Sequence, residues 1–445
     1  MTAGLSVDVE ILKLARQVGC RPQALDYLEQ LDPQDIRDLR EQVTGVLFDA
    51  DRQMLQRVAA ATKLLPSKLT ATIGESMFSP LLCARVTGLL DPHRAVDIAA
   101  RLSTSFLADV APYLDPRRAS RVIAELPAEQ VAEIAEELVR REQYITMGDV
   151  VGHLSKAATL AALAAIDDEA LLRTAYVVES KGSLGSLVAL IPAKRLTAII
   201  RTASEADLWP EALDVIGHVS EHQRGELADI AAAQDDELLE GLVRVALDDG
   251  LWPVLLPVTR AMSPASRERF VGLPSVQTEK VLAAIVDAAA QEALWADLLV
   301  FLPLLPVAAR RLVAVIAADL KAEYAAIIDA AHEEELWPAL IAFAAELDET
   351  TQRRIAELIA ASDQAILAGL LAAVEAEELE REALTVFARL SATKQARFAK
   401  RIVALASIAA LTALAMAAEA AGLDTLHDAV KPGPGRRKSA TKASS

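Results

Sequence analysis

Apolar residues recur every three or four positions along most of the chain, and short segments with Pro, Gly, Asp or Ser interrupt them. This spacing is typical of amphipathic helices, because positions three and four apart share one face of an α-helix. Asp-Pro pairs at Asp32, Asp91 and Asp115 indicate helix starts, with Asp as the N-cap and Pro in the first turn. The pattern predicts an all-α chain of short helices, one of them from about Asp32 to Leu47.

The four tryptophans mark an internal repeat. Each follows a Leu in a similar local setting, at Trp209, Trp252, Trp295 and Trp337, with spacings of 43, 43 and 42 residues. Tyr144 occupies the corresponding place in an earlier unit that is out of step with the others. A period near 43 residues lies in the range of HEAT and armadillo repeats. We therefore predict an α-solenoid with HEAT- or armadillo-like units, each of about three short helices.

The neighbourhood of the tryptophans indicates how they are used. An aliphatic residue stands four positions after each of them, namely Leu213, Leu256, Leu299 and Ile341. Residues four apart on a helix lie side by side, so each indole has an apolar partner on its own helix. This favours packing of the indoles between successive units over the alternative, an exposed binding strip.

A second motif precedes the tryptophan repeats. Leu-Asp-Pro-X-Arg-Ala occurs at Leu90 and again at Leu114, and Leu126-Pro127 follows the second copy. In this motif residues 80–205 resemble the cytosolic N-terminal helical domain of MgtE-type magnesium transporters. The resemblance implies a short right-handed superhelix that, in the transporters, is an acidic, ion-responsive regulatory domain. The sequence has no recognisable CBS pair or five-span membrane domain, so only the fold is implied and not transport.

These patterns divide the chain into four parts. We expect a helical N-terminal cap region over 1–79 and the transporter-like superhelix of helical hairpins over 80–205. The HEAT- or armadillo-like repeats follow over 206–430, and an Ala-rich helix from about residue 402 to 418 caps the last unit. Residues 431–445 are predicted to be disordered, because they have almost no apolar surface to bury.

The charge is uneven along the chain. The formal net charge is −18, yet the last fifteen residues carry five positive charges and no negative one, which leaves −23 on the rest. An acidic body repels phosphate backbones, so we expect no nucleic acid along the solenoid and other proteins as partners. The tail contributes the candidate contact residues Lys431, Arg436, Arg437, Lys438 and Lys442. Anionic lipid, nucleic acid or an acidic protein surface could bind this tail, and the alternative is a solubilising end.

The sequence contains no recognisable catalytic residue and no recognisable cofactor site. His218 and His222 are four apart, as metal ligands on a helix would be, but a third ligand is missing and a turn with two polar residues is the favoured interpretation. Acidic pairs near helix ends, such as Asp248-Asp249, suggest at most a weak surface for Mg²⁺, with a solvated face as the alternative. We therefore expect a protein that is not an enzyme.

Compartment signals favour the cytoplasm. Cys20 and Cys83 lie in apolar helical patterns, which predicts two buried thiols in a reducing compartment rather than a disulfide. Residues 1–14 lack the features of a secretion signal. The uncharged stretch Ile402–Ala418 is short for a membrane span and fits a packed helix.

The leading functional hypothesis is a non-catalytic scaffold or adaptor that binds other proteins. Two alternatives stay open. One is a soluble regulator that responds to a divalent cation such as magnesium. The other is a peripheral membrane-associated protein that uses the basic tail and residues 402–418.

Overall fold

The protein is an all-α helical repeat of the solenoid class. Its computed structural model describes residues 2–318, 320, 323–421, 427–428 and 430–431, and the side chains within these ranges except at 2–6 and 47–51. Within the described ranges all regular structure is helical, and helices that are close in sequence, most often two places apart, pack together. The chain forms two compact units, Met1–Ala231 and Ala232–Ser445. The predicted four-part division of the chain stays a prediction.

Unit 1 is a succession of mostly short helices with one long helix near its start. Its α-helices are α1 (Thr2–Val18), α2 (Pro33–Thr62), α3 (Ser67–Met77), α4 (Pro80–Thr87), α5 (Pro92–Ala99), α6 (Thr104–Val110), α7 (Pro116–Glu125), α8 (Ala128–Arg140), α9 (Tyr144–Val150), α10 (Lys156–Ala165), α11 (Asp168–Tyr176), α12 (Leu184–Val188), α13 (Ala193–Glu205), α14 (Trp209–Gly217) and α15 (Glu221–Ala232). Short 3-10 helices lie at Pro22–Leu28, Ala111–Tyr113, Val151–His153 and Lys181–Ser183.

Unit 2 continues the helical succession. Its α-helices are α16 (Asp236–Asp248), α17 (Trp252–Ala261), α18 (Pro264–Val271), α19 (Glu279–Glu292), α20 (Trp295–Phe301), α21 (Val307–Ala317), α22 (Tyr324–Glu333), α23 (Trp337–Glu346), α24 (Glu349–Ala361), α25 (Gln364–Ala376), α26 (Glu380–Phe387), α27 (Ala392–Leu405) and α28 (Ile408–Ala420). A 3-10 helix covers Leu302–Leu304. Helices α17, α20, α23 and α26 begin at equivalent places in the repeat and contact one another in that order.

The Asp-Pro helix starts are confirmed. The Asp32 carboxylate accepts a hydrogen bond from the Gln34 amide at 2.8 Å, which satisfies one of the free N–H groups of the first turn. Asp91 and Asp115 cap α5 and α7 in the same way. The helix that starts after Asp32 extends to Thr62, well beyond the predicted end near Leu47.

A left-handed residue stands two positions before the first residue of each marker helix. These residues have φ between 54° and 57° when they are not glycine and 65° at the glycine, and they are Glu142, Asp207, Gly250, Ala293, Glu335 and Glu378. The following residue then donates its N–H to the carbonyl five positions back, as Leu336 does to Ala331 at 2.8 Å. This is the Schellman arrangement that closes a helix C-terminus. It ends one helix and places the next, which begins at Tyr144, at a tryptophan or at Glu380.

Arginines connect successive helical layers in unit 1. Arg195 on α13 donates to the carbonyls of Leu163 and Ile166 at the end of α10, and to Asp168 Oδ1 at 2.8 Å. Arg94 on α5 makes the equivalent set of bonds 101 residues earlier. Its acceptors are the carbonyls of Thr62 and Leu65 and the hydroxyl of Ser67. A guanidinium suits this position because it satisfies several free carbonyls and faces the negative end of the helix dipole.

The stretch Ile402–Ala418 is not one helix, contrary to the expectation from its composition. Helix α27 ends at Leu405, and Ser407 caps α28 by accepting the Ala410 amide at 2.9 Å. A serine at this position offers the backbone a cap, so the helix restarts instead of continuing. Helix α28 packs on α26, with Ala418 against Leu384.

No single described helix has the length and apolar content needed to cross a membrane. Two consecutive helices, α24 and α25, meet those criteria only when taken together, and the chain bends by 119° between them.

We expect Glu335→Gly to raise the free energy of unfolding by about 1 kcal/mol. Relief of a left-handed backbone, worth roughly 1–2 kcal/mol, outweighs the greater chain entropy that glycine brings to the unfolded state. Urea unfolding at pH 7 measures the change. The matched control is Glu333→Gly, because Glu333 ends α22 in right-handed conformation and glycine there lowers stability. If both variants are destabilised, the left-handed turn is not the cause.

We expect Arg195→Ala to lower the free energy of unfolding by about 2–3 kcal/mol, because it removes charge-assisted bonds to three acceptors at a helix end. Lys194→Ala changes the adjacent, exposed residue and should alter stability by less than about 0.5 kcal/mol. Equal effects of the two substitutions in urea unfolding contradict a role for Arg195 between layers.

Candidate functional site

The repeat markers lie at the starts of their helices and inside the protein. Trp209, Trp252, Trp295 and Trp337 are between 1% and 4% exposed, whereas Tyr144 is half-buried with the Arg173 guanidinium 6.0 Å from its ring centre. Nε1 of Trp252 and of Trp337 has no hydrogen-bond partner among the described residues. These two indoles therefore contribute apolar contacts in the core and offer no surface to a ligand.

The turns before the marker helices in unit 2 carry a concentration of negative charge. Their sequences are Asp-Asp-Gly-Leu at 248–251, Gln-Glu-Ala-Leu at 291–294, Glu-Glu-Glu-Leu at 333–336 and Ala-Glu-Glu-Leu at 376–379. All the acidic side chains in these four segments are exposed. Because the helices that follow contact one another in order, the segments lie along one edge of unit 2. We call them the acidic turns.

The histidines do not converge on a metal site. His218 Nδ1 lies 2.7 Å from the Asp214 carbonyl oxygen, and His222 is exposed with Nε2 3.5 Å from Glu226 Oε1. Among the described residues there is no group of three or more His, Cys, Asp or Glu side chains that could hold a metal ion. The weak Mg²⁺ surface stays a prediction.

A network of buried charges joins the N-terminal helices of unit 1. Glu10 on α1 is 1% exposed, and its carboxylate accepts hydrogen bonds from Arg37 Nη2 at 2.8 Å and Arg40 Nε at 3.3 Å on α2. Arg40 in turn donates to Glu179 Oε1 at 2.8 Å. A buried carboxylate is tolerated only when charged partners replace its water, and two arginines supply them here.

The same network attaches α1 to distant parts of unit 1. Lys13 Nζ lies 2.9 Å from Asp149 Oδ1 on α9. Lys181 Nζ lies 2.5 Å from Asp214 Oδ2 on α14. The two aspartates are equivalent, since each begins an Asp-Val-X-Gly-His segment. Lys13 therefore forms an ion pair with the Asp of one segment, and Lys181 forms an ion pair with the Asp of the other.

Burial and neighbouring charges shift the protonation of this network. Burial raises the pKa of Asp149, although Lys13 acts in the opposite sense. Burial also lowers the pKa of Lys181, against the charge of Asp214. For Glu179 burial would raise the pKa, but the hydrogen bond and charge of Arg40, with Lys13 and Arg117, bring the net shift below its ordinary value.

No sequence pattern indicates these charged residues as a group. Lys13, Asp149 and Glu179 are far apart in the chain and belong to no motif. The repeated Asp of the Asp-Val-X-Gly-His segments was the one available signal, because a matching acid within an apolar pattern needs a partner.

The two cysteines, both expected to be buried, lie in different surroundings. Cys20 is exposed, which corrects the expectation of burial, because left-handed Gly19 ends α1 and the Cys20 amide bonds back to the Ala15 carbonyl. Cys83 is half-buried, and burial raises the pKa of its thiol. Both thiols are free.

Of the basic tail residues, Lys431 lies within the part of the chain that the structure describes. Lys431 is exposed, and its amide donates to the His427 carbonyl at 3.0 Å. The other tail candidates, Arg436, Arg437, Lys438 and Lys442, lie outside the described residues. Tail contacts with lipid, nucleic acid or protein stay a prediction.

In comparisons with known proteins the chain matches no protein-family model and no curated protein. The resemblance of residues 80–205 to the magnesium-transporter domain therefore stays a prediction.

We expect Glu179→Gln to reduce the free energy of unfolding by about 1–3 kcal/mol at pH 7, because it removes the charge that Arg40 contacts. The pKa of Glu179 is lowered on folding, so the carboxylate contributes stability above its ordinary pKa, and that contribution is lost as the pH falls below it. The difference between wild type and variant should therefore shrink between pH 5 and about pH 3. Urea unfolding across this range measures it, and a difference independent of pH would falsify the assignment.

Proposed function

We propose that this protein is a non-catalytic scaffold that binds other proteins along the acidic edge of its repeats. The observation that supports the proposal is the row of acidic turns in unit 2. Eight acidic residues and no basic ones occupy the four segments 248–251, 291–294, 333–336 and 376–379.

The position of these acids is unfavourable for stability. They stand at helix C-termini, where the helix dipole already presents negative charge, so carboxylates there are destabilising. Glu335 and Glu378 also occupy the left-handed position that favours glycine, although Gly250 shows that glycine is compatible with the fold. Acids that weaken the fold at equivalent places in several repeats are more readily explained by a binding role.

The charge indicates the chemistry of the partner. An exposed row of carboxylates attracts a basic protein segment and repels nucleic acid. Part of this negative charge is neutralised within unit 2, because Arg260 Nη2 lies 2.8 Å from Glu334 Oε2. Other carboxylates of the acidic turns, such as those of Glu377 and Glu378, would contact lysine and arginine side chains of a partner.

Affinity capture from lysate with the full chain as bait tests the proposal, across a series of salt concentrations. The variant Glu333→Gln, Glu377→Gln, Glu378→Gln removes three charges from the acidic turns. The control Glu237→Gln, Glu268→Gln, Glu279→Gln removes three exposed charges elsewhere in unit 2. We expect basic proteins to bind wild type and control, to be released as salt rises, and to bind the turn variant at least tenfold less.

Two outcomes contradict the proposal. One is that no protein is captured at any salt concentration. The other is that wild type, turn variant and control capture the same proteins in the same amounts, which would place binding outside the acidic turns.

A further inference from the structure

A polar cleft lies in unit 1 beside the N-terminal helices. It has a volume of about 860 Å³, and its walls come from α1, α2, α4, α6, α7 and α9 with the segments between them. Its charged lining consists of Lys13, Arg16, Arg40, Arg85, Arg117, Arg118 and Arg141, with Glu41, Asp109, Asp115, Asp149 and Glu179. Seven cations face five carboxylates, so the cleft is positive within a protein whose net charge is −18.

The carboxylates of the cleft are already engaged. Each forms an ion pair with a cation of the same lining: Glu41 and Glu179 with Arg117, Glu179 also with Arg40, Asp149 with Lys13, Asp109 with Arg141, and Asp115 with Arg118. Counted over the whole lining, two more cations than carboxylates remain. A compact excess of positive charge in a partly enclosed site attracts anions even where the whole protein repels them.

Arg16 is a cation of the cleft whose side-chain hydrogen bonds go to neutral groups. Its Nη2 donates to Thr146 Oγ1 at 2.6 Å and to Gln143 Oε1 at 3.2 Å. No carboxylate of the described residues lies within 4 Å of its guanidinium, and Nε and Nη1 donate to none of those residues. Burial lowers the pKa of Arg16, against the more distant charge of Asp149. A partly buried guanidinium with unused donors is stabilised by an anion that accepts from it.

We propose that this cleft binds a small molecule carrying a phosphate monoester, with Arg16 as its principal contact. A phosphate monoester has a charge of about −1.5 to −2 at pH 7, which suits a cleft whose lining holds more cations than carboxylates. The planar guanidinium fork of arginine binds such oxygens in pairs. The volume of the cleft is within the usual range of small-molecule sites. Arg117, at the edge of the cleft and half exposed, is paired with Glu41 and Glu179 and adds to the positive charge of the lining.

Calorimetric titration and thermal melting of the full chain test this site. The probes are inorganic phosphate and glycerol phosphate, with glycerol as the neutral control and sodium chloride at matched ionic strength. We expect both phosphates to bind and to raise Tm, and glycerol and chloride to have no effect. Binding of glycerol phosphate but not of inorganic phosphate supports the site and identifies the ester as the ligand. A response to inorganic phosphate alone limits the ligand to the free ion and overturns the ester.

Arg16→Gln should weaken phosphate binding at least tenfold. The matched control is Arg224→Gln, which removes the same charge from unit 1 at a side chain that also donates to neutral acceptors, the carbonyls of Ile216 and Gly217. It should leave the affinity unchanged. If Arg16→Gln does not fold, Arg117→Gln replaces it, with an expected loss of at least threefold. Unchanged affinity in the cleft variants, equal losses in the control, or equal shifts in Tm with chloride and phosphate overturn the proposal.

Discussion

The repeat depends on one backbone event, a left-handed residue followed by an N–H that bonds to a carbonyl five positions back. This turn closes a helix, changes the direction of the chain and is usually followed by a Leu, which is buried at Leu208 and Leu251 and partly buried in the later turns. The same dihedral angles at equivalent positions produce the same change of direction, and in unit 2 the equivalent helices α17, α20, α23 and α26 pack on one another in sequence order. The tryptophans occupy the first position after this turn, where the helix that begins is already held against its neighbours. The tryptophans contribute buried apolar area. The direction of the helix that they begin is determined by the backbone turn before them.

The sequence predicted what is local and periodic. The all-α class, the spacing of the tryptophans and the Asp-Pro helix starts could be predicted, because helix periodicity and N-caps depend on residues that are close together in sequence. The left-handed turns were not, since only Gly250 among them is a glycine, and Glu, Asp or Ala carries no signal of positive φ. Acidic residues near helix ends, such as Asp248 and Asp249, lie in these turns. The contacts of Glu10, Lys13 and Arg40 could not be predicted, because no local pattern records a pairing between residues so far apart.

The two units use charge differently. Unit 2 exposes carboxylates along its turns, where water and salt screen them and where stability gains nothing from them. Unit 1 buries carboxylates among arginines and lysines, so that each charge depends on a specific partner. The exposed row suits reversible contact with partners of opposite charge, whereas the buried pairs define one arrangement of helices. The polar cleft lies beside the second kind, and its cations are therefore held in fixed positions. Such preorganisation is what a small ligand requires.

The attachment of α1 to the later helices has a consequence for synthesis of the protein. Most contacts in a helical repeat form between neighbours, so they can form as the chain leaves the ribosome. The hydrogen bond from Arg40 to Glu179, however, can form only after 139 more residues have been made. At bacterial or eukaryotic rates of translation this takes roughly 7 to 28 seconds. Helices α1 and α2 thus complete their contacts only after Glu179 has been made, and during that interval their charges are available to chaperones or to other nascent segments.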